Sequence, residues 1–142
     1  MSDLLTAVDE ARIVEAIRAA EALTSGEIRV HLERRSGGRP IDAARRWFVR
    51  LGMDRTRERN GVLFYLAVDE RLFAVIGDAG IHDRVGDAFW EGLRDAMAGA
   101  FAAGDHAGGL VRAIGEAGRR LADHFPRRGD DTNELSDEVS TS

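Results

Sequence analysis

Seven consecutive apolar residues, Val62 to Val68, interrupt a chain that otherwise alternates between apolar and polar positions. The run is rich in β-branched and aromatic types, short enough for a strand and too continuous to leave a wet face, so it predicts the buried centre of a sheet. Asp69-Glu70-Arg71 predicts a turn, and the second apolar run, Leu72 to Ile76, folds back antiparallel before Gly77-Asp78-Ala79-Gly80 ends it. Upstream, Ile28, Val30 and Leu32 alternate with Arg29, His31 and Glu33 between Glu27 and Arg34. That period predicts a strand buried on one face and lying at the edge of the sheet.

The remaining segments repeat at helical spacing. Thr6-Ala7-Val8-Asp9 has the form of a capping box and opens a helix to about Ala22, with Ile13 and Ile17 on its apolar face. Pro40 suits a first helical position, Ile41, Ala44, Phe48 and Leu51 share one face, and Gly52 ends that helix. Val85, Phe89, Leu93, Met97 and Phe101 form a third stripe, and Asp105 caps a fourth helix carrying Leu110, Ile114, Ala117, Leu121 and Phe125 before Pro126. A strand, a helix and a second strand make a right-handed crossover that leaves the two strands parallel. The pattern therefore predicts a three-layer αβα sandwich: a small mixed β-sheet, built from a βαβ unit and an antiparallel hairpin, flanked by helices. One domain is expected over residues 1–126, followed by an acidic tail, 127–142, expected to be mobile unless it docks.

Composition narrows the chemistry. A chain of 142 residues buries roughly 70% of its unfolded surface, enough for one core. With no cysteine, disulfides, thiolate nucleophiles and cysteine-bound zinc are excluded, and with every basic residue an arginine so are Schiff-base and P-loop lysines. A net charge of -5 speaks against nucleic acid held by the overall field. The N-terminus lacks a basic start with an apolar core, and no 18-residue apolar stretch occurs, so the expected location is cytoplasmic, without a membrane span.

The predicted topology gathers polar residues. The start of the first strand (Glu27), the start of the central strand (Asn60, Gly61) and the end of the third (Gly77, Asp78) share one edge of the sheet, where the loop from Met53 to Arg59 also arrives. Asp83 and Asp87 follow in the short segment expected before the next helix. Carboxylates, an amide oxygen and loop carbonyls together suit a hard cation, calcium or magnesium, so Glu27, Asn60, Asp78, Asp83 and Asp87 form the candidate metal set. Each also has a structural reading: Asp87 as a helix N-terminal charge, Asp78 as a turn residue or arginine partner, and Glu27 as a partner for Arg55, Arg57 or Arg59. Gly77 to Gly80 lacks the spacing of a phosphate-binding motif, and the four histidines show no zinc pattern.

Thr24-Ser25-Gly26-Glu27-Ile28, Leu51-Gly52-Met53 followed by Arg59-Asn60-Gly61-Val62-Leu63, Gly77-Asp78 with Gly80-Ile81, and Phe101 followed by Gly104-Asp105 resemble the TPM domain over most of the chain. The resemblance implies the sandwich above, divalent-cation binding and an acid phosphatase activity. Typical members read Gly-Tyr-Gly-Leu-Glu-Gly after the third strand, so the family's acid falls here on Asp78 or Asp83, while Asp87 matches a later aspartate. Many members are secreted or membrane-anchored and some serve photosystem repair in plants; this chain resembles a soluble bacterial-type branch, to which the photosystem role is not carried over. Two functions are therefore expected: a divalent-cation module acting through protein partners, or a metal-dependent phosphatase hydrolysing phosphoesters by metal-activated water, with Arg55, Arg57 or Arg59 neutralising the phosphate. Binding is preferred, because the sequence offers no preorganised nucleophile.

Overall fold

The computed structural model describes residues 5–127 and 137–142. Its elements run α1 (Ala7–Glu21), β1 (Glu27–Glu33), α2 (Pro40–Arg50), a 3₁₀ turn (Met53–Arg55), β2 (Gly61–Ala67), β3 (Leu72–Gly77), α3 (Ala79–Ala102), α4 (His106–His124) and β4 (Ser140–Thr141). The strands form one open sheet in the order β3-β2-β1-β4. β2 pairs parallel with β1, Glu27 opposite Gly61, and antiparallel with β3, Val62 opposite Gly77.

All seven residues of β2 are buried because each face meets a helical layer. Val62, Phe64 and Leu66 join Ile28, Val30 and Leu32 under α1, α3 and α4. Leu63, Tyr65 and Ala67 point the other way, toward Ala43, Ala44 and Phe48 of α2. This is the expected αβα sandwich.

The local signals act as read at the starts of α1 and α4. Thr6 and Asp9 exchange capping hydrogen bonds, and the Asp105 side chain accepts the Gly108 N–H at 3.0 Å. Gly52, at φ 75°, lets the chain leave α2 in the left-handed region. No helix among the described residues is long and apolar enough to cross a membrane.

Four expectations need correction. β1 is not an edge strand: residues 137–142 lie beside it, Ser140 and Thr141 opposite His31 and Leu32, and Val139 packs on the main core. The tail expected to be mobile is thus docked over its described part; residues 128–136 lie outside the described residues. The face of β1 expected to be polar and wet is also covered at its centre: His31 has no exposed area, stacked on Trp47 of α2 and in contact with Ser140, while Arg29 and Glu33 are partly buried. Finally, the segment before Val85, expected to be loop, is helical from Ala79, where Asp78 caps it; non-helical Gly86 (φ 76°, ψ 176°) separates this first part of α3 from the longer part that carries Phe89, Leu93, Met97 and Phe101.

Candidate functional site

The sheet end built from Glu27, Gly61 and Gly77 is held by the loop that precedes β2. Thr56 accepts the Asn60 N–H through its hydroxyl at 3.3 Å, and the Asn60 carbonyl accepts the Glu27 N–H at 3.4 Å. The Asn60 amide nitrogen donates to Ser25 Oγ and to Glu58 Oε2, each at 3.4 Å, while Ser25 Oγ donates to that same carboxylate at 3.0 Å. Glu27 and Asn60 are both buried, at 2% exposure each. Asn60 is thus fastened through its amide nitrogen, the arrangement that leaves its side-chain oxygen as an acceptor.

Asp78 is the pivot of the corner. Its N–H donates to Gly61 O at 2.9 Å, which closes the ladder, and its carboxylate caps α3 by accepting the Ala79 N–H at 2.7 Å. The same carboxylate receives the Arg59 guanidinium side-on, Nε to Oδ2 at 2.8 Å and Nη2 to Oδ1 at 2.9 Å. Arg59 stands at φ 53°, in the left-handed region, with its side chain half exposed. Its pKa is raised first by the hydrogen bonds to Asp78 and then by the Asp78 charge, with Asp54 adding a smaller attraction. Asp54, in the 3₁₀ turn, carries a buried Oδ1 with no hydrogen-bond partner. On the other side, Gly80 lies so close to the backbone carbonyls of Glu58 and Arg59 that a β-carbon there would overlap both.

The structure brings Glu27, Asn60 and Asp78 to one sheet end, and does not bring Asp83 and Asp87 into the same cluster. Both are exposed on α3, and Asp87 Oδ1 faces His82 Nε2 at 3.6 Å. The His82 ring is oriented by Trp90, whose Nε1–H donates to Nδ1 at 2.9 Å. Among the described residues no three acidic or histidine side chains converge as a ready-made metal cage. The arginine-partner reading of Asp78 therefore holds, alongside its cap role.

Two acids outside the candidate metal set also carry weight. Asp54 has no periodic signal. Glu21 does have one: it continues the Ile13 and Ile17 stripe at four-residue spacing, on the buried face of α1. Burial pushes its carboxyl up to about 10, with the nearby acids Asp137 and Glu27 pressing in the same direction.

A second polar network lies across the sheet. Trp47 Nε1 donates to Glu33 Oε2 at 3.2 Å and the Tyr65 hydroxyl donates to it at 2.5 Å, beside the His31 ring stacked on Trp47 at 4.0 Å.

Comparison with known proteins places this architecture. No curated protein matches the chain. Among solved structures, the NMR structure of BA42 protein from the psychrophilic bacterium Bizionia argentinensis is 47% identical, with a TM-score of 0.89 over 97% of this chain and 95% of that one. The N-terminal domain of a protein from P. gingivalis shares the fold at 21% identity and a TM-score of 0.68, over 89% of this chain and 83% of that one. The N-terminal domain of cg2496 protein from Corynebacterium glutamicum shares it at 17% identity and 0.59, over 97% and 80%. Residues 1–120 match the TPM domain, and the chain belongs to that family.

Proposed function

We propose that this protein is a binding module that takes up a divalent cation, calcium or magnesium, at the corner of Asp78 and acts through contacts with other proteins. The observation that carries the reading is the placement of Arg59: its guanidinium is bound by Asp78 and attracted by Asp54, whose buried Oδ1 has no hydrogen-bond partner. A monovalent cation from the chain itself already sits among these carboxylates. A divalent ion would exchange with it, taking Asp78 and Asp54 as anionic ligands, with the Asn60 oxygen, the carbonyls of the 53–60 loop and water to complete an all-oxygen shell. The donor set fits a hard ion once Arg59 has turned out to solvent, where half of its side chain already lies. Bound there, the ion would supply the positive charge that joins the loop to the start of α3. Asp83 and Asp87 are left as outer charges in this reading, and the phosphatase alternative has no observation of its own in its favour.

Calcium and magnesium titrations of isotopically labelled protein test this. Amide shifts are expected at Asp54, Asn60 and Asp78 to Gly80, with a melting rise of roughly 5 to 10 °C at a hundredfold excess over Kd. Asp78→Asn should remove the rise, and Arg59→Gln should strengthen binding by deleting the competitor. A wild type unmoved by millimolar calcium, with Asp78→Asn equally destabilised at every calcium concentration, would sink the reading.

A further inference from the structure

The two edges of the sheet are treated differently by the chain. β1 is covered at His31 and Leu32 by the protein's own β4, whereas among the described residues β3 pairs only with β2 and its far side is open. Edge strands are usually blunted by charge, proline or a bulge. β3 has none of these: Leu72-Phe73-Ala74-Val75-Ile76-Gly77 is uncharged, and its register against β2 is unbroken from Leu72 to Gly77.

The geometry of the open side follows from one bond. Asp78 turns its N–H to Gly61 of β2, so by the alternation of an antiparallel ladder Leu72, Ala74 and Ile76 face β2 and Phe73, Val75 and Gly77 turn their N–H and C=O groups outward. Five consecutive residues, Phe73 to Gly77, line one cleft of about 470 Å³. Alternate residues of a strand face opposite ways, so a cleft touching all five looks onto the strand's edge. Its walls are α2, through Ile41 (50% exposed) and Arg45, and α3, through Asp87, Glu91 and Arg94.

We propose that this cleft is a docking site for an extended segment of a partner protein, added antiparallel to β3 as a further strand of the sheet. The inference names the partner surface of the binding reading above, but does not depend on a cation. Two features select the occupant. Helices wall the cleft on both sheet faces, so a lone strand, which needs only about 4.8 Å beside its neighbour, fits where a second domain bringing its own helices would collide. The charges of the walls are also ordered. Trp90 packs over Gly77 and Phe101 against Phe73, so α3 runs back along β3 with Asp87 and Glu91 toward Gly77 and Arg94 toward Phe73. Arg45, Glu91 and Arg94 have no ion-pair partner among the described residues. An antiparallel guest enters at the Gly77 end. The complementary segment therefore carries a basic residue first and an acidic residue about four positions later, with alternating apolar residues between them.

The test uses two capped synthetic peptides, one centred on Lys-Val-Thr-Val-Glu and one on Glu-Val-Thr-Val-Lys, titrated in chelator into the labelled full chain. Chelator keeps the result separate from the cation reading. The first peptide is expected to shift the amides of Phe73, Val75 and Gly77 and slow their hydrogen exchange, and the second to bind about fivefold more weakly. Arg94→Glu should narrow or invert that preference while leaving the melting temperature unchanged. The proposal is overturned by no perturbation at millimolar peptide, by shifts away from β3, or by equal affinity for the two charge orders. It is equally overturned if the edge amides of the peptide-free protein are already protected in a concentration-dependent dimer, since a second copy would then own the edge.

Discussion

Glu21, the last residue of α1, accepts the backbone N–H of Ile28 in β1 at 2.7 Å. The contact ties a helix end to a strand through a carboxyl that sits at 5% exposure, where a charged form is costly.

Stability should consequently fall as pH rises. The Glu21 carboxyl is held up to about 10 in the folded chain, against an ordinary value of 4.5, so between those values the native state keeps a proton that the unfolded chain has lost. The slope approaches about 1.4 kcal/mol per pH unit at most. Glu21→Gln should match the wild type near pH 4 and exceed it at pH 8, in urea unfolding followed across that range. Parallel pH curves for the two proteins would show that Glu21 is ionised in the fold.

His31 works in the opposite sense. Burial is the main cause that pushes its ring down to about 4, and its nitrogens contact Ser140 Oγ at 2.7 Å and Ser142 Oγ at 2.9 Å. Its contribution is whole above 6.5, the unfolded value, and is lost as pH falls toward 4. Deleting residues 137–142 uncovers the ring, so its pKa should move up toward the free value at a stability cost of about 1 to 3 kcal/mol. Histidine titration by NMR checks this; an unchanged pKa would mean that the stacked Trp47, and not β4, keeps the ring neutral.

Two glycines on α3 should respond with opposite signs. Gly80→Ala drives a methyl into the carbonyls of Glu58 and Arg59 and should cost more than about 2 kcal/mol, loosening the Arg59 clamp on Asp78. Gly99→Ala meets nothing within 4 Å and should stabilise by about 0.4 to 1 kcal/mol. Denaturant midpoints separate the two, and equal effects would refute the close packing at residue 80.

The central hairpin was legible because Val62 to Val68 can satisfy its apolarity only inside a sheet, and that placement dictates the parallel and antiparallel neighbours. From it follows the meeting of Glu27, Asn60 and Asp78. What pattern could not convey was the choice among partners at that corner: Asp78 turning to Arg59 is a matter of side-chain rotamers and one left-handed backbone position. β4 was invisible for another reason. Ser140 and Thr141 carry little strand signal, and their pairing is set by the distant His31. The first part of α3 was missed because its stripe begins at Val85, whereas capping by Asp78 starts a short helical segment at Ala79 that Gly86 separates from the rest.

The docking of β4 also orders events in time. His31 and Ser140 are 109 positions apart, so their contact closes a loop that contains α2, the hairpin and both long helices, and loop-closure entropy makes late formation the expected order. Until β4 docks, β1 and β3 are both open sheet edges among the described residues, and the docking covers β1 at His31 and Leu32. Docking of β4 is thus the step that turns a two-edged intermediate, prone to pair with its neighbours, into a fold with β3 as its uncovered edge among the described residues.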